Sequence, residues 1–395
     1  MSDITTPLAV PPPSLASAVL NLVLPELRYG KLICVLPGGQ RVERHGTLPG
    51  PLGVLEVYDT RLGLALALQG ADGLDESYLD GAWGSPNLTA LLTLLAQNFT
   101  SQMPSGMLAL PSRLLSRLRH AANANTRSGA RRNIMAHYDL GNEFYAAWLD
   151  EMMLYSSALY VDEDEPLETA QARRLGLIAD WLDAPKGANV LEIGCGWGAL
   201  ARYLGEAGAL VTGLTLSPAQ LGHAQRIAGD NVALALRDYR EETGLYDRIV
   251  SIEMLEAVGE AYWPAYFATL RARLKHGGKA VLQVITIDAA RYASYRRAPD
   301  FIQRHIFPGG MLPSKAEIGI QARRAGLTQA RTLHFGASYA RTLAEWRTRF
   351  LAAWPCLAEM GFDQRFKRLW TYYLSYCEAG FATGAIDVGL YELKG

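Results

Sequence analysis

The chain has 395 residues, of which 49 % are hydrophobic and 19 % are charged. This composition provides core material for two or three domains and excludes a disordered chain or a coiled coil as a description of the whole. The 38 basic and 39 acidic side chains give a net charge of −1, so no overall basic excess predicts a nucleic-acid-binding protein.

Neither the N-terminus nor the cysteines indicate export. The N-terminus lacks the basic and apolar regions of a secretory signal, and no apolar run reaches the length of a transmembrane helix. The four cysteines lie far apart, and neither they nor the histidines have metal-ligand spacing. We therefore expect a cytoplasmic protein with no metal site.

The first hundred residues predict a small α+β domain over residues 15–104, behind a loose tail at 1–14. The segment GKLICVLPGGQRVERHG predicts a strand, a turn and a second strand, and VLEVYDTRLGLALALQG predicts another strand pair. The segment NLTALLTLLAQNF has helical spacing behind the capping residue Asn87.

Residues 105–132 form a basic segment that contains six arginines and no acidic residue. One interpretation is a surface helix followed by a solvated linker. The other is an amphipathic element that lies on anionic lipid headgroups, where each basic side chain contributes about 1 kcal/mol.

From residue 185 onward, strand and helix patterns alternate. Five strands are predicted within ANVLEI, ALVTGLTLS, NVALALRDYR, YDRIVSIEML and KAVLQVITI, with helices between them. This alternation predicts an α/β fold with a parallel, doubly wound sheet. Residues 288–330 interrupt the pattern as a predicted lid or insert, and helical stretches fill the tail over 340–395.

A glycine-rich turn follows the first of these strands. Gly194, Gly196 and Gly198 stand between a strand and a helix, where glycine lets the backbone approach a nucleotide closely. The spacing differs from that of dinucleotide-binding and P-loop motifs. It resembles the class I S-adenosylmethionine-dependent methyltransferases, and Glu192 before the turn is a candidate to bind an amino group of the ligand.

Several longer motifs narrow the resemblance. They are ESYLDGAW, HYDLGNEFY, MLYSSA, GLTLSPAQ, RDYR, SIEMLEAVG, FIQRHIFPGGMLPS and FKRLWTYYLSYCEAGF. Together they resemble the cyclopropane-fatty-acid synthases over nearly the whole chain from about residue 70. The resemblance implies methyl transfer from S-adenosylmethionine to the cis double bond of a phospholipid acyl chain. A carbocation forms, and a base then removes a proton so that the ring closes.

The resemblance also implies the site residues. The residues expected to contact the cofactor are Tyr155, Ser156, Gly194, Gly196, Thr215, Ser217, Gln220, Asp238 and Tyr239. The expected base is a bicarbonate ion held by Glu256, Tyr339 and the backbone of Ile285. Where the family has a cysteine and a histidine that also hold this ion, the chain has Ser157 and Gln283.

Tyr138 is a further candidate, either close to the reacting carbon or simply a packed aromatic side chain. Ser157 and Gln283 can donate hydrogen bonds, but they cannot relay a proton as histidine does. Two products therefore stay open, a cyclopropane ring and a methyl- or methylene-branched chain that a partner reductase or oxidase would finish.

The expected partner is a phospholipid membrane surface with anionic headgroups, bound peripherally, and a homo-oligomer is left open. Two rival functions are a small-molecule N-methyltransferase and a relative that binds lipid or cofactor without catalysis. The N-terminal domain and the basic segment argue against the first rival, and the presence of Glu256 and Tyr339 argues against the second.

Overall fold

The computed structural model describes residues 26–99 and 140–395. They belong to two compact units, one within Met1–Leu110 and the other within Pro111–Gly395. The predicted tail at 1–14, the basic segment at 105–132 and the candidate Tyr138 lie outside the described residues. The predicted domain boundaries stay a prediction.

In its described residues, 26–99, the N-terminal unit is a four-stranded sheet with three helices. The strands have the order β2-β1-β3-β4, in which β1 pairs antiparallel with β2 and parallel with β3. The strands are β1 Tyr29–Val35, β2 Arg41–His45, β3 Leu48–Val57 and β4 Trp83–Gly84. The helices are α1 Arg61–Gln69, α2 Ala71–Leu79 and α3 Leu88–Asn98. The predicted strand–turn–strand and the helix capped by Asn87, whose Oδ1 accepts from Ala90 N at 3.0 Å, are confirmed.

The prediction of a second strand pair over residues 54–70 is wrong in its second half. The first half is the end of β3, but the leucine-rich second half is the helix α1. A strand would place Leu62, Leu64 and Leu66 on one face. Instead Leu62 and Leu66, four residues apart, are buried, and Leu64 is 61 % exposed. The regular Leu-x-Leu spacing is also typical of a strand. In the structure this segment is the helix α1, and only the face with Leu62 and Leu66 contacts the core.

The C-terminal unit contains a seven-stranded sheet with the order β10-β11-β9-β8-β5-β6-β7. The five predicted strands are confirmed as the parallel strands β5 to β9, and β11 runs antiparallel to both of its neighbours. The strands are β5 Asn189–Ile193, β6 Leu210–Thr215, β7 Val232–Leu236, β8 Tyr246–Ile252, β9 Leu274–Ile287, β10 Thr328–His334 and β11 Ile386–Lys394. The last two strands were not predicted from the sequence.

Eleven α-helices accompany this sheet in the described part of the unit. They are α4 Asn142–Ala146, α5 Leu167–Leu182, α6 Ala199–Glu206, α7 Pro218–Ile227, α8 Leu255–Val258, α9 Trp263–Arg273, α10 Ala289–Tyr295, α11 Phe301–His305, α12 Lys315–Arg324, α13 Gly336–Glu359 and α14 Gln364–Ala382. The helices predicted in the tail are confirmed as α13 and α14. The predicted interruption at 288–330 contains the short helices α10 to α12, and its function as a lid stays a prediction.

An aromatic cluster explains the HYDLGNEFY motif, part of which forms α4. The Phe144 ring lies edge-on to Trp370 of α14 with centroids 5.0 Å apart, and Trp148 meets Trp346 of α13 at 5.9 Å. Such edge-to-face pairs add to the stabilisation that comes from burying the rings. The cluster therefore holds the segment after α4, which carries the MLYSSA motif, against the two tail helices.

The strand order places a crevice beside β5. Strands β6 and β7 extend from β5 in one direction, and β8 and β9 extend in the other. In open α/β sheets, ligands bind at the carboxyl ends of the strands where the order reverses. The turn after β5 and the segment after β8 therefore face the expected site. In the described ranges, no helix is long and apolar enough to cross a membrane.

Candidate active site

The glycine-rich turn after β5 lies against the end of β8. Gly194 has a φ of +81°, and a Cβ atom there would lie 2.4 Å from Met254 Sδ. Gly196 has a φ of +53°, and no described atom comes within 4 Å of the place where its Cβ would be. The turn thus combines close backbone packing at one glycine with open space at the other, as a nucleotide-binding turn requires.

Glu192 is the penultimate residue of β5, just before this turn, and it is only 3 % exposed. Its Oε2 atom has no hydrogen-bond partner among the described residues. Burial raises the pKa of Glu192 to about 8, against the opposing effect of the Arg174 charge. A buried carboxyl oxygen without a partner fits an amino group of a ligand, which would supply the missing hydrogen bond.

The residues predicted after β6 form one hydrogen-bonded cluster. Thr215 Oγ1 donates to Gln220 Oε1 at 3.0 Å and accepts from Ser217 N at 3.1 Å. Ser217 Oγ caps α7 by accepting from Gln220 N at 3.3 Å. The cluster closes the carboxyl end of β6, the strand next to the glycine turn, with polar side chains.

The two residues predicted after β7 have partners within the protein. Asp238 accepts two hydrogen bonds from the Arg240 guanidinium group, at 2.8 and 2.5 Å. Tyr239 is buried with its ring 5.4 Å from that of Tyr266, and burial raises its pKa to about 12. Both lie at the same edge of the sheet as the glycine turn, but Asp238 would have to share its oxygens between Arg240 and a ligand.

Tyr155 and Ser156 lie in the segment between α4 and α5. The Tyr155 hydroxyl is 2.7 Å from that of Tyr373, and its ring lies 5.2 Å from Trp346. Ser156 Oγ donates a hydrogen bond to Glu253 Oε1 at 2.6 Å. The segment therefore reaches the residue directly after β8.

Glu253 is the centre of the site, and the sequence analysis did not single it out. Its Oε1 atom accepts from Ser156 Oγ, from Gln283 Nε2 at 2.6 Å and from the backbone N of Ser157 at 3.3 Å. Its Oε2 atom accepts from the Tyr339 hydroxyl at 2.7 Å. Hydrogen bonds to a carboxylate are among the strong ones, so these four donors fix the position of the Glu253 side chain.

The predicted bicarbonate ligands are therefore brought together, but around a side chain of the protein. Gln283 and Tyr339 both donate to Glu253. Ser157 contributes its backbone N–H, whereas its hydroxyl donates to Ala158 O at 2.8 Å. The residues predicted to hold the ion thus do meet in space, yet their donor groups already have a carboxylate to bind.

Glu256 and Ile285 meet on one side of this cluster. The backbone N of Ile285 donates to Glu256 Oε1, and Oε2 of Glu256 has no partner among the described residues. Burial, with the like charge of Glu253 as the next cause, raises the pKa of Glu256 to about 8. At neutral pH, Glu256 is therefore a neutral acid beside the hydrogen-bonded Glu253.

Arg174 of α5 is a second residue that sequence reasoning missed. It is only 2 % exposed, and burial lowers its pKa. Its guanidinium group donates to Gln171 Oε1 at 3.0 Å and reaches Gln283 Oε1 at 3.5 Å. With that oxygen facing a cation, the amide nitrogen of Gln283 faces Glu253. An arginine on the apolar face of α5, one turn before Ile178, was the available sequence signal.

Aromatic rings surround the carboxylate. Tyr339 stacks on Phe381 with centroids 4.5 Å apart and lies edge-on to Trp346 at 6.1 Å. Tyr155 packs against the other side of Trp346. Faces of such rings attract positive charge. The site thus contains an anion and electron-rich rings next to a turn suited to a nucleotide.

The sheet order and the glycine turn define a class I methyltransferase fold. A family model described as mycolic acid cyclopropane synthetase matches residues 125–390. The chain therefore belongs to the cyclopropane-fatty-acid synthase family, which confirms the predicted family, fold class and enzyme class.

Relatives support this assignment. Tuberculostearic acid methyltransferase UfaA1 of Mycobacterium tuberculosis is 41 % identical over 332 residues, which cover 81 % of this chain and 78 % of that protein. Cyclopropane-fatty-acyl-phospholipid synthase of Escherichia coli is 37 % identical over 330 residues, 82 % of this chain and 83 % of that one. The crystal structure of mycolic acid cyclopropane synthase CmaA1 with SAH and CTAB has a TM-score of 0.63 at 30 % identity, covering 67 % of this chain and 98 % of that one.

Proposed function

We propose that the chain catalyses S-adenosylmethionine-dependent carbon methylation of the cis double bond of an unsaturated acyl chain in a phospholipid. The observation that carries the proposal is the half-buried Glu253 carboxylate, which accepts four hydrogen bonds, one of them from Tyr339, at the sheet edge beside the glycine turn. The CmaA1 structure was solved with SAH, the cofactor after methyl loss, which supports the choice of cofactor.

The chemistry makes three demands on the site. S-adenosylmethionine supplies an electrophilic methyl group, which the alkene attacks so that positive charge develops on the acyl chain. The rings of Tyr155, Tyr339 and Trp346 offer the cation faces to pack against. The burial of Tyr339 and Trp346 helps to exclude water, which would otherwise trap the cation.

Binding of the cofactor would use the groups described after β5 and β6. Glu192 has a buried oxygen available for the amino group, and Gly196 leaves room for close approach. Ser217 and Gln220 present polar groups at the end of the adjacent strand. These features favour a bound cofactor whose reactive methyl group lies near the Glu253 edge of the sheet.

The product is a methyl- or methylene-branched unsaturated chain or a cyclopropane ring. One relative is named a methyltransferase of tuberculostearic acid and another a cyclopropane synthase, so similarity supports both products. We further propose that the enzyme works in the cytoplasm at an anionic phospholipid surface, which the basic segment at 105–132 would contact. A partner reductase or oxidase would act on a branched product.

Mass spectrometry of lipid tests the proposal. Purified protein is incubated with unsaturated phospholipid vesicles and S-adenosylmethionine carrying a trideuterated methyl group. A saturated ring that keeps two deuterium atoms shows cyclopropanation, and a branched chain that keeps a double bond shows the alternative. Methylation of a small amine with no change in the lipid would refute the lipid function, as would cofactor binding with no product.

A further inference from the structure

We propose that Glu253 is the general base of this reaction and takes the place that the family resemblance assigned to a bicarbonate ion. The inference rests on the proposed function, because a base is needed only if a carbocation forms. It adds a catalytic residue that the motif comparison did not assign. It also changes what the enzyme needs from solution, since a base on the chain requires no dissolved ion.

The hydrogen-bond donors predicted to hold bicarbonate already have other acceptors. Gln283 Nε2 and the Tyr339 hydroxyl bind the two oxygens of Glu253, at 2.6 and 2.7 Å. The Ser157 hydroxyl donates to a backbone carbonyl, and the Ile285 N–H donates to Glu256. The residues present therefore do not fit a second carboxylate-like anion, which would also meet the negative charge of Glu253.

The two oxygens of Glu253 differ in the number of hydrogen bonds that they accept. Oε1 accepts three hydrogen bonds, from Ser156, Ser157 and Gln283, which hold the group in place. For Oε2, the Tyr339 hydroxyl is the only donor among the described residues. A carboxylate oxygen has two lone-pair directions, so Oε2 keeps one that can accept a proton.

The backbone at Glu253 has an unusual conformation that directs its side chain. It has a φ of +51°, a conformation that L side chains other than Asn and Asp adopt rarely. Its N–H donates to Gln283 O at 2.8 Å, so the turn is anchored to β9. Strained backbone of this kind concentrates at functional sites. Here the strain directs a carboxylate from the end of β8 into the crevice beside β5.

Two neighbouring carboxyl groups, those of Glu253 and Glu256, lie in different environments. Glu256 is raised to a pKa of about 8 and so keeps its proton at neutral pH. Glu253 differs, because its two oxygens accept four hydrogen bonds. When the environments of two neighbouring carboxyl groups differ in this way, one group acts as the acid and the other as the base. Here Glu253 is the candidate base.

In the proposed step, the alkene carbon bonds to the methyl group while the methyl–sulfur bond breaks. This leaves a cation on the acyl chain. A lone pair on Glu253 Oε2 takes a proton from the transferred methyl group or from a carbon beside the cation. The C–H electron pair then closes the ring or forms a double bond. Glu253 becomes a neutral acid and returns its proton to solvent after the product leaves.

Two variants of Glu253 test the base. Glu253→Gln keeps the size of the side chain but cannot accept the proton, so product formation should fall by at least about 100-fold, the lower end of what a general base contributes. Glu253→Gly suits the positive φ and leaves space for an external carboxylate. It should be inactive alone and regain turnover with added formate or bicarbonate, whereas the glutamine variant should not. Glu151→Gln, at an exposed glutamate, is the control that should stay within about twofold of wild type.

Affinity for S-adenosylhomocysteine, measured by calorimetry, should be the same in wild type and in both Glu253 variants. The wild type should also turn over equally fast in buffer stripped of carbon dioxide and in buffer with added bicarbonate. This second measurement needs no variant, so it decides even if both variants fail to fold.

A requirement for bicarbonate in the wild type would overturn the proposal, as would full activity of Glu253→Gln in stripped buffer. Loss of activity in Glu253→Gly without rescue by either anion would also overturn it. Failure of the proposed function itself would look different, because the wild type would then give no modified lipid in either buffer.

Discussion

The Tyr339 hydroxyl offers a direct measure of how strongly the protein stabilises the Glu253 carboxylate. Tyr339→Phe removes one oxygen atom and leaves the ring stacked on Phe381. The lost hydrogen bond, 2.7 Å long, goes to the half-buried carboxylate of Glu253. Such bonds contribute about 1.5–3 kcal/mol to the free energy of unfolding, so the variant should lose about that much.

Tyr373→Phe is the matched control. The side chain is also buried, and its hydroxyl bonds at 2.7 Å to a neutral hydroxyl, that of Tyr155. A neutral bond contributes about 0.5–1.5 kcal/mol, so this variant should lose less. Urea unfolding followed by tryptophan fluorescence suits the comparison, because seven of the eight tryptophans lie between residues 148 and 370. Equal losses in the two variants would refute a charged carboxylate beside Tyr339.

Three further predictions concern the rest of the site. Because burial raises the pKa of Glu256 from 4.5 to about 8, the folded state keeps a proton that the unfolded chain releases. This group therefore lowers stability by about 1.4 kcal/mol per pH unit as the pH rises between those values. Glu256→Gln should show a shallower fall in urea-unfolding free energy between pH 5 and pH 8, and an unchanged slope would contradict the assignment. Gly196→Ala places a methyl group in the open space of the turn. Affinity for S-adenosylhomocysteine, measured by calorimetry, should therefore fall by at least about tenfold, which corresponds to about 1.4 kcal/mol. Unchanged affinity would show that the cofactor binds elsewhere. Arg174→Lys keeps the charge but loses the guanidinium fork that orients Gln283, so product formation should fall while cofactor affinity stays constant. Full activity of this lysine variant would show that the charge alone is sufficient.

Local sequence determined most of the regular structure in the C-terminal unit. The alternation of apolar strands and capped helices predicted β5 to β9, because apolar runs and helix caps are patterns within short windows of the sequence. Ser217, for example, caps α7 through a residue only three positions away. The glycine turn was equally readable, since glycine at that spacing between a strand and a helix meets a backbone requirement that few other residues satisfy.

Prediction failed where the surroundings select between two local structures. The alternating leucines of residues 62–66 suit a strand as well as a helix, and only the burial of Leu62 and Leu66 in the folded unit shows which one forms. Strand β11 follows two helices at the end of the chain and inserts between β9 and β10. Its position depends on pairing with residues about one hundred positions earlier, which no local pattern reveals.

The Glu253 site shows the same limit at the level of chemistry. Family resemblance assigned Ser156 to the cofactor and grouped Gln283 and Tyr339 around an ion. Their actual partner comes from a fourth segment, separated from them by 97, 30 and 86 positions. The sequence alone determined that these polar groups are present in their segments. The sheet order and the turn at Glu253 decided that they converge on a carboxylate of the chain, because hydrogen bonds form only between atoms that the whole fold brings within about 3 Å.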